Sequence, residues 1–119
     1  MKTILLVVLG VIVLAGIALG ARKLLAPDPT VFSKERWIAE ARAKPSENKR
    51  SLMTDDLGKR LRPGMSEAEV TELLGPPDSR RGERLIYNLG MPGFGVDYEH
   101  YVVELDGAGK VARYFTDRG

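Results

Sequence analysis

One apolar run near the N-terminus constrains this chain more than any other feature. Residues 4–21 open with Ile4, Leu5 and Leu6 and continue without a charged or polar side chain, between Lys2 and the pair Arg22-Lys23. A helix rises about 1.5 Å per residue, so such a run covers about 27 Å, close to the hydrocarbon thickness of a bilayer. The rest of the chain is rich in charge and has room for one small domain.

The run has three readings. Its length and basic flanks fit an uncleaved single-span anchor over residues 1–25. Lys2 and the small residues Ala18, Gly20 and Ala21 also resemble a cleavable secretory signal, although the apolar core exceeds the usual ~7–15 residues. A lipoprotein signal fails. Leu14-Ala15-Gly16 suits a lipobox, but Ile17 follows, and the chain has no cysteine to carry a lipid. Gly16 and Gly20 form a GxxxG pair, the spacing that lets two membrane helices approach closely. A weak homodimer through the anchor is one expectation; the other is that small residues are simply common in such spans.

Charge leaves the orientation open. Lys2 and the free amine favour a cytoplasmic N-terminus, whereas Arg22, Lys23, Lys34 and Arg36 favour a cytoplasmic C-terminal domain. The net charge of +2 comes from the flanks of the run. Without Lys2, Arg22 and Lys23, 15 basic residues face 16 acidic ones. The balance gives no support to nucleic-acid binding, and the basic clusters lack the neighbouring aromatics of a stacking platform.

Residues 26–47 read as a linker with a short helix. Pro27 and Pro29 prevent helix continuation. Ser33 caps a helix expected over 34–44 with Trp37, Ile38 and Ala41 on one side, and Pro45 ends it. Residues 48–119 read as the domain. A helix is expected from about 48 to 61, with Leu52, Met53, Leu57 and Leu61 at helical spacing. The next helix, 66–74, is the best marked. Ser66 and Glu69 form a capping box, Met65 and Val70 a hydrophobic staple, and Val70, Leu73 and Leu74 a buried stripe. Gly75 stops it, and Pro76-Pro77 forbids continuation. The period then changes to alternation. Strands are expected at 83–89, 98–105 and 110–116, the last two joined by the turn Asp106-Gly107-Ala108-Gly109. The fold class is α+β, two helices on a three-stranded antiparallel sheet, preceded by the membrane helix and the extra short helix.

Reactive chemistry is sparse. His100 is the single histidine, and with no cysteine it has no partners for a histidine- or thiolate-rich metal site. No nucleophile elbow, phosphate loop or nucleotide fingerprint occurs. No catalytic residue, cofactor or metal is expected. An enzyme would need His100, Tyr101 and Asp97 to converge on a cleft. Three basic clusters, Lys49-Arg50, Lys59-Arg60-Arg62 and Arg80-Arg81-Arg84, could meet headgroups near a membrane at about 1 kcal/mol per residue, with Lys49, Arg50, Lys59, Arg60 and Arg62 the candidate contacts. Interleaved acids such as Glu47, Asp55 and Asp56 make a solvated mixed-charge surface the plainer reading.

The segment 61–78 carries a resemblance. Its Gly64-Met65-Ser66 helix start, Val70 at mid-helix and Leu73-Leu74-Gly75-Pro76-Pro77 ending resemble the SmpA/OmlA family of BamE-like domains. The likeness covers about residues 50–117. The same two-helix, three-strand unit also looks like half of the β-lactamase inhibitor protein fold. It implies a non-enzymatic binding or scaffold module outside the cytoplasm, held at the bacterial inner membrane, with another envelope protein as partner in envelope assembly or maintenance. The chain departs from the pattern in having Ile17 where the family carries a lipidated cysteine, and in its Trp37 helix.

Overall fold

The computed structural model describes residues 27–92 and 97–118. The apolar run and its Gly16/Gly20 pair lie outside them. Among the described residues no helix is long and apolar enough to cross a membrane.

The order of elements is α1 (Lys34–Ala39), three 3₁₀ turns (Glu40–Arg42, Pro45–Glu47, Arg50–Met53), α2 (Thr54–Gly58), α3 (Glu67–Leu74), then β1 (Ser79–Arg81), β2 (Arg84–Gly90), β3 (Glu99–Leu105) and β4 (Val111–Arg118). The strands form one antiparallel sheet in sequence order, with the helices packed on one face. The α+β class holds, but the sheet has four strands rather than three. The added strand is Ser79–Arg81, which pairs with β2 across a Gly82-Glu83 turn. Its residues are all exposed, so it carries no apolar alternation to announce it.

The helix expected over 48–61 is broken into a 3₁₀ turn and the short α2. Met53, Leu57 and Leu61 are buried as expected, whereas Leu52 points out at 48% exposure. The first helix is also shorter than expected, and Ile38 and Ala41 are exposed. Trp37 alone turns fully inward.

Trp37 is the centre of the core. Its ring lies 5.9 Å from Phe32, 6.0 Å from Tyr87 and 6.2 Å from Tyr101. The stretch 26–47 therefore supplies two core aromatics, Phe32 and Trp37, and packs as part of the domain. The strand faces follow the alternation: Leu85, Tyr87, Leu89, Tyr101, Val103 and Leu105 all join the core.

α3 forms as its signals dictate. Ser66 Oγ accepts the Glu69 amide at 3.1 Å, and the Glu69 carboxylate reaches back to the Ser66 amide. The entry to the helix is also stitched to the sheet. The Gly64 amide donates to Val111 O at 2.7 Å, and the Val111 amide to Met65 O at 2.8 Å. At its other end, Gly75 adopts φ 75°, ψ −175°, a region essentially reserved for glycine. Its amide donates to Thr71 O, and its carbonyl accepts the buried Tyr87 hydroxyl at 2.9 Å. Gly90 is required for a different reason: a Cβ there would collide with Pro45 O and Asn48 Cβ, where the Met91 amide bonds Pro45 O.

Candidate interaction face

The helices cover one side of the sheet and leave the other open. Cross-strand partners share a face, so the register orders the open side into three rows. The first crosses the strands as Arg81, Arg84, Glu104 and Arg113; the second as Ser79, Ile86, Val102 and Phe115; the third as Asn88, His100 and Asp117. A charged row and a polar row thus flank an apolar one.

Glu104 organises the charged row. Arg113 grips it with two bonds of 3.1 Å, and Arg84 Nε lies 3.0 Å from the same carboxylate. Those bonds, Arg113 first, hold the Glu104 carboxyl below its ordinary pKa. Arg113 also lies over the Phe115 ring, 4.9 Å from its centroid, tying the charged row to the apolar one. Between the rows is a cleft of about 150 Å³. Ile86 and Val102 are among its apolar lining, Arg81 and Arg84 lie at one side, and Ser79, His100 and Asp117 complete it. Val102 is only 3% exposed although it lies outside the core cluster, so the open face shields its own apolar centre.

The residues singled out from the sequence are distributed differently. Arg50 corrects the lipid-contact expectation. It is 2% exposed, with Nη1 2.8 Å from Asp78 Oδ2 and 3.1 Å from Asn88 O, and Nε 2.7 Å from Trp37 O. Its guanidinium also lies 4.8 Å from the centre of the Trp37 ring. A bilayer cannot reach it. Arg60 is engaged with Asp56 at 3.2 Å and lies near the Phe32 ring, while Lys49, Lys59 and Arg62 are exposed. Met65, Glu69, Leu73 and Arg60 meet around a shallow groove on the helical side, beside Lys34. Gly64, Ser66, Val70, Leu74, Gly75 and Pro77 shape α3 and its ends.

His100 and Tyr101 occupy adjacent positions on β3 and so face opposite sides of the sheet. Tyr101 is buried in the core, where burial raises its pKa to about 12. The two side chains do not converge. Among the described residues no group of three or more histidine, aspartate or glutamate side chains is placed to hold a metal ion. The three-row face leaves a signal in the sequence that the expected elements do not use. Ile86, Val102 and Phe115 are apolar at the positions that alternation assigns to the side away from the core.

Comparison with known proteins yields no matching family model, no similar curated protein and no similar solved structure.

Proposed function

We propose that this chain is a single-span, membrane-tethered interaction module without enzymatic activity, whose domain lies outside the cytoplasm at the bacterial inner membrane and binds another envelope protein through the open sheet face. One observation carries the reading: the point where the chain joins the domain and the open face lie on opposite sides of the sheet. Arg36 Nη2 donates to Asp28 O and Val31 O at 3.1 and 2.6 Å, and the Phe32 amide donates to Asp56 Oδ2 at 2.7 Å. Phe32 then enters the core on the helical side.

With residues 1–25 as the anchor and the domain fastened at Asp28, only a handful of residues link the two. The two residues between them, 26 and 27, allow a separation of at most about 11 Å between residues 25 and 28. The helical side then faces the bilayer, and the open face is presented away from it, to other proteins. The SmpA/OmlA resemblance of residues 61–78 supports the sidedness and an envelope-assembly role.

The basic residues Arg22, Lys23, Lys34 and Arg36 favour a second reading, a regulatory binding domain facing the cytosol. Protease added to intact spheroplasts separates the two. Removal of the domain is the expected result. Full protection that is lost only on lysis overturns the extracytoplasmic reading in favour of the cytosolic one.

A further inference from the structure

We propose that the cleft on the open sheet face binds a carboxylate side chain carried on an extended apolar segment of a partner protein. The inference rests on the reading of this face as the interaction surface and names the chemistry it takes.

Arg81 is the first observation. Most arginines that bear on the sheet have a carboxylate partner: Arg80 with Glu67 at 2.6 Å, Arg84 and Arg113 with Glu104, and Arg118 with Glu99 at 2.8 Å. Among the described residues Arg81 has no carboxylate within 4 Å, and it lines the cleft. Glu104 cannot serve it, because two arginines already grip that carboxylate. A guanidinium presents five donors in a planar fork that matches a carboxylate.

The apolar row is the second observation. Ile86 and Val102 lie one register row from Arg81, at the spacing of alternate residues on one strand. A partner segment whose acidic residue meets Arg81 can set the apolar side chain two positions along against the half-buried Ile86, beside the already shielded Val102.

Charge selects this occupant over a lipid surface. Arg81, Arg84 and Arg113 face Glu104 and Asp117, which leaves the open face one positive charge in excess. Asp117 lines the same cleft as Arg81 and would repel a layer of phosphates. One carboxylate balances that excess; a dense anionic headgroup layer does not fit it.

The test is a titration of the full-length chain, methyl-labelled and held in zwitterionic micelles, with two peptides. One is acetyl-Val-Thr-Glu-Thr-Val-amide, whose valines lie two positions from the glutamate and so on its face, and the other has glutamine in place of glutamate. The expected result is a saturable shift of the Ile86 and Val102 methyls, with the glutamate peptide binding about tenfold more tightly. The exposed substitution Arg81→Gln should erase that difference. Equal affinity for the two peptides, insensitivity to Arg81→Gln, no saturable shift, or shifts at Met65 and Leu73 instead would each overturn the proposal. So would shifts of Ile86 and Val102 on adding phosphatidylglycerol bicelles, which would reassign the face to lipid. Failure with peptides leaves the interaction reading itself to be judged separately, by crosslinking from Phe115.

Discussion

Arg50 Nη1 lies 2.8 Å from Asp78 Oδ2 inside the domain, and this pair ties three separate parts of the chain together. Through Trp37 O, Arg50 holds α1; through Asp78, it holds the link between α3 and β1; through Asn88 O, it holds β2. Asp78 Oδ2 also accepts the Asn88 amide at 2.8 Å. Arg50 is buried and Asp78 only partly so, with side chains 3% and 23% exposed, and hydrogen bonds to a charged group contribute about 1.5–3 kcal/mol each. Arg50→Ala should therefore lower the urea midpoint strongly and abolish the near-ultraviolet signal of Trp37. Asp78→Asn keeps an acceptor but leaves the buried guanidinium without its counter-charge, and should also lower the midpoint. An unchanged midpoint for Arg50→Ala would show that the pair contributes nothing.

The Ser66 cap makes a smaller and sharper prediction. Ser66→Ala removes the acceptor for the Glu69 amide and should cost about 1 kcal/mol in the same urea measurement. Ala68→Gly, an exposed change in the same first turn, tests propensity alone and should cost a similar amount without altering the cap. An unchanged midpoint for Ser66→Ala would mean that the stitching of Gly64 and Met65 to Val111 holds the helix start by itself.

These two sites differ in how legible they were. The Ser66 cap, the Val70 stripe and the Gly75 stop lie within ten residues, and local rules read local structure. The Arg50–Asp78 pair is separated by 28 positions, and Arg50 follows Lys49 in what looks like a solvated basic cluster. Nothing local marks one member of such a cluster for burial. Trp37 was hidden for a related reason. It sits in a short helix flanked by prolines, and its partners Tyr87 and Tyr101 are brought to it only by the sheet. The open face was harder to read: Ile86, Val102 and Phe115 are single apolar positions among Arg84, Asn88, His100 and Glu104, and alternation cannot say that this side lacks a helix to cover it.

Acid should weaken the domain in a defined window. Asp56 has a depressed pKa, chiefly because the Phe32 amide donates to its carboxylate. Glu104 is depressed chiefly by Arg113. A carboxyl held lower in the folded state contributes stability that is present above its unfolded value, 3.8 and 4.5 respectively, and lost as pH falls through its folded value. Stability should fall with acid below about pH 4.5, and Asp56→Asn should flatten that fall. At the alkaline end the sign reverses. Tyr87 and Tyr101 are both raised by burial, Tyr101 to about 12, so their contribution is present below the ordinary value of 10 and lost above it. Urea midpoints across both ranges check the pair of slopes; a flat profile below pH 4.5 would contradict the assigned Asp56 and Glu104 bonds.

The central claim is that the open sheet face, and not the helical side, meets a partner. Photo-crosslinking in intact cells tests it most directly, with the full-length chain carrying a benzophenone side chain at Phe115 on the open face or at Leu52 on the helical side, which is 48% exposed. The account predicts a discrete protein adduct from position 115 that diminishes with Arg81→Gln, and none of that adduct from position 52. The same adduct from both positions, or phospholipid adducts alone from position 115, would contradict it.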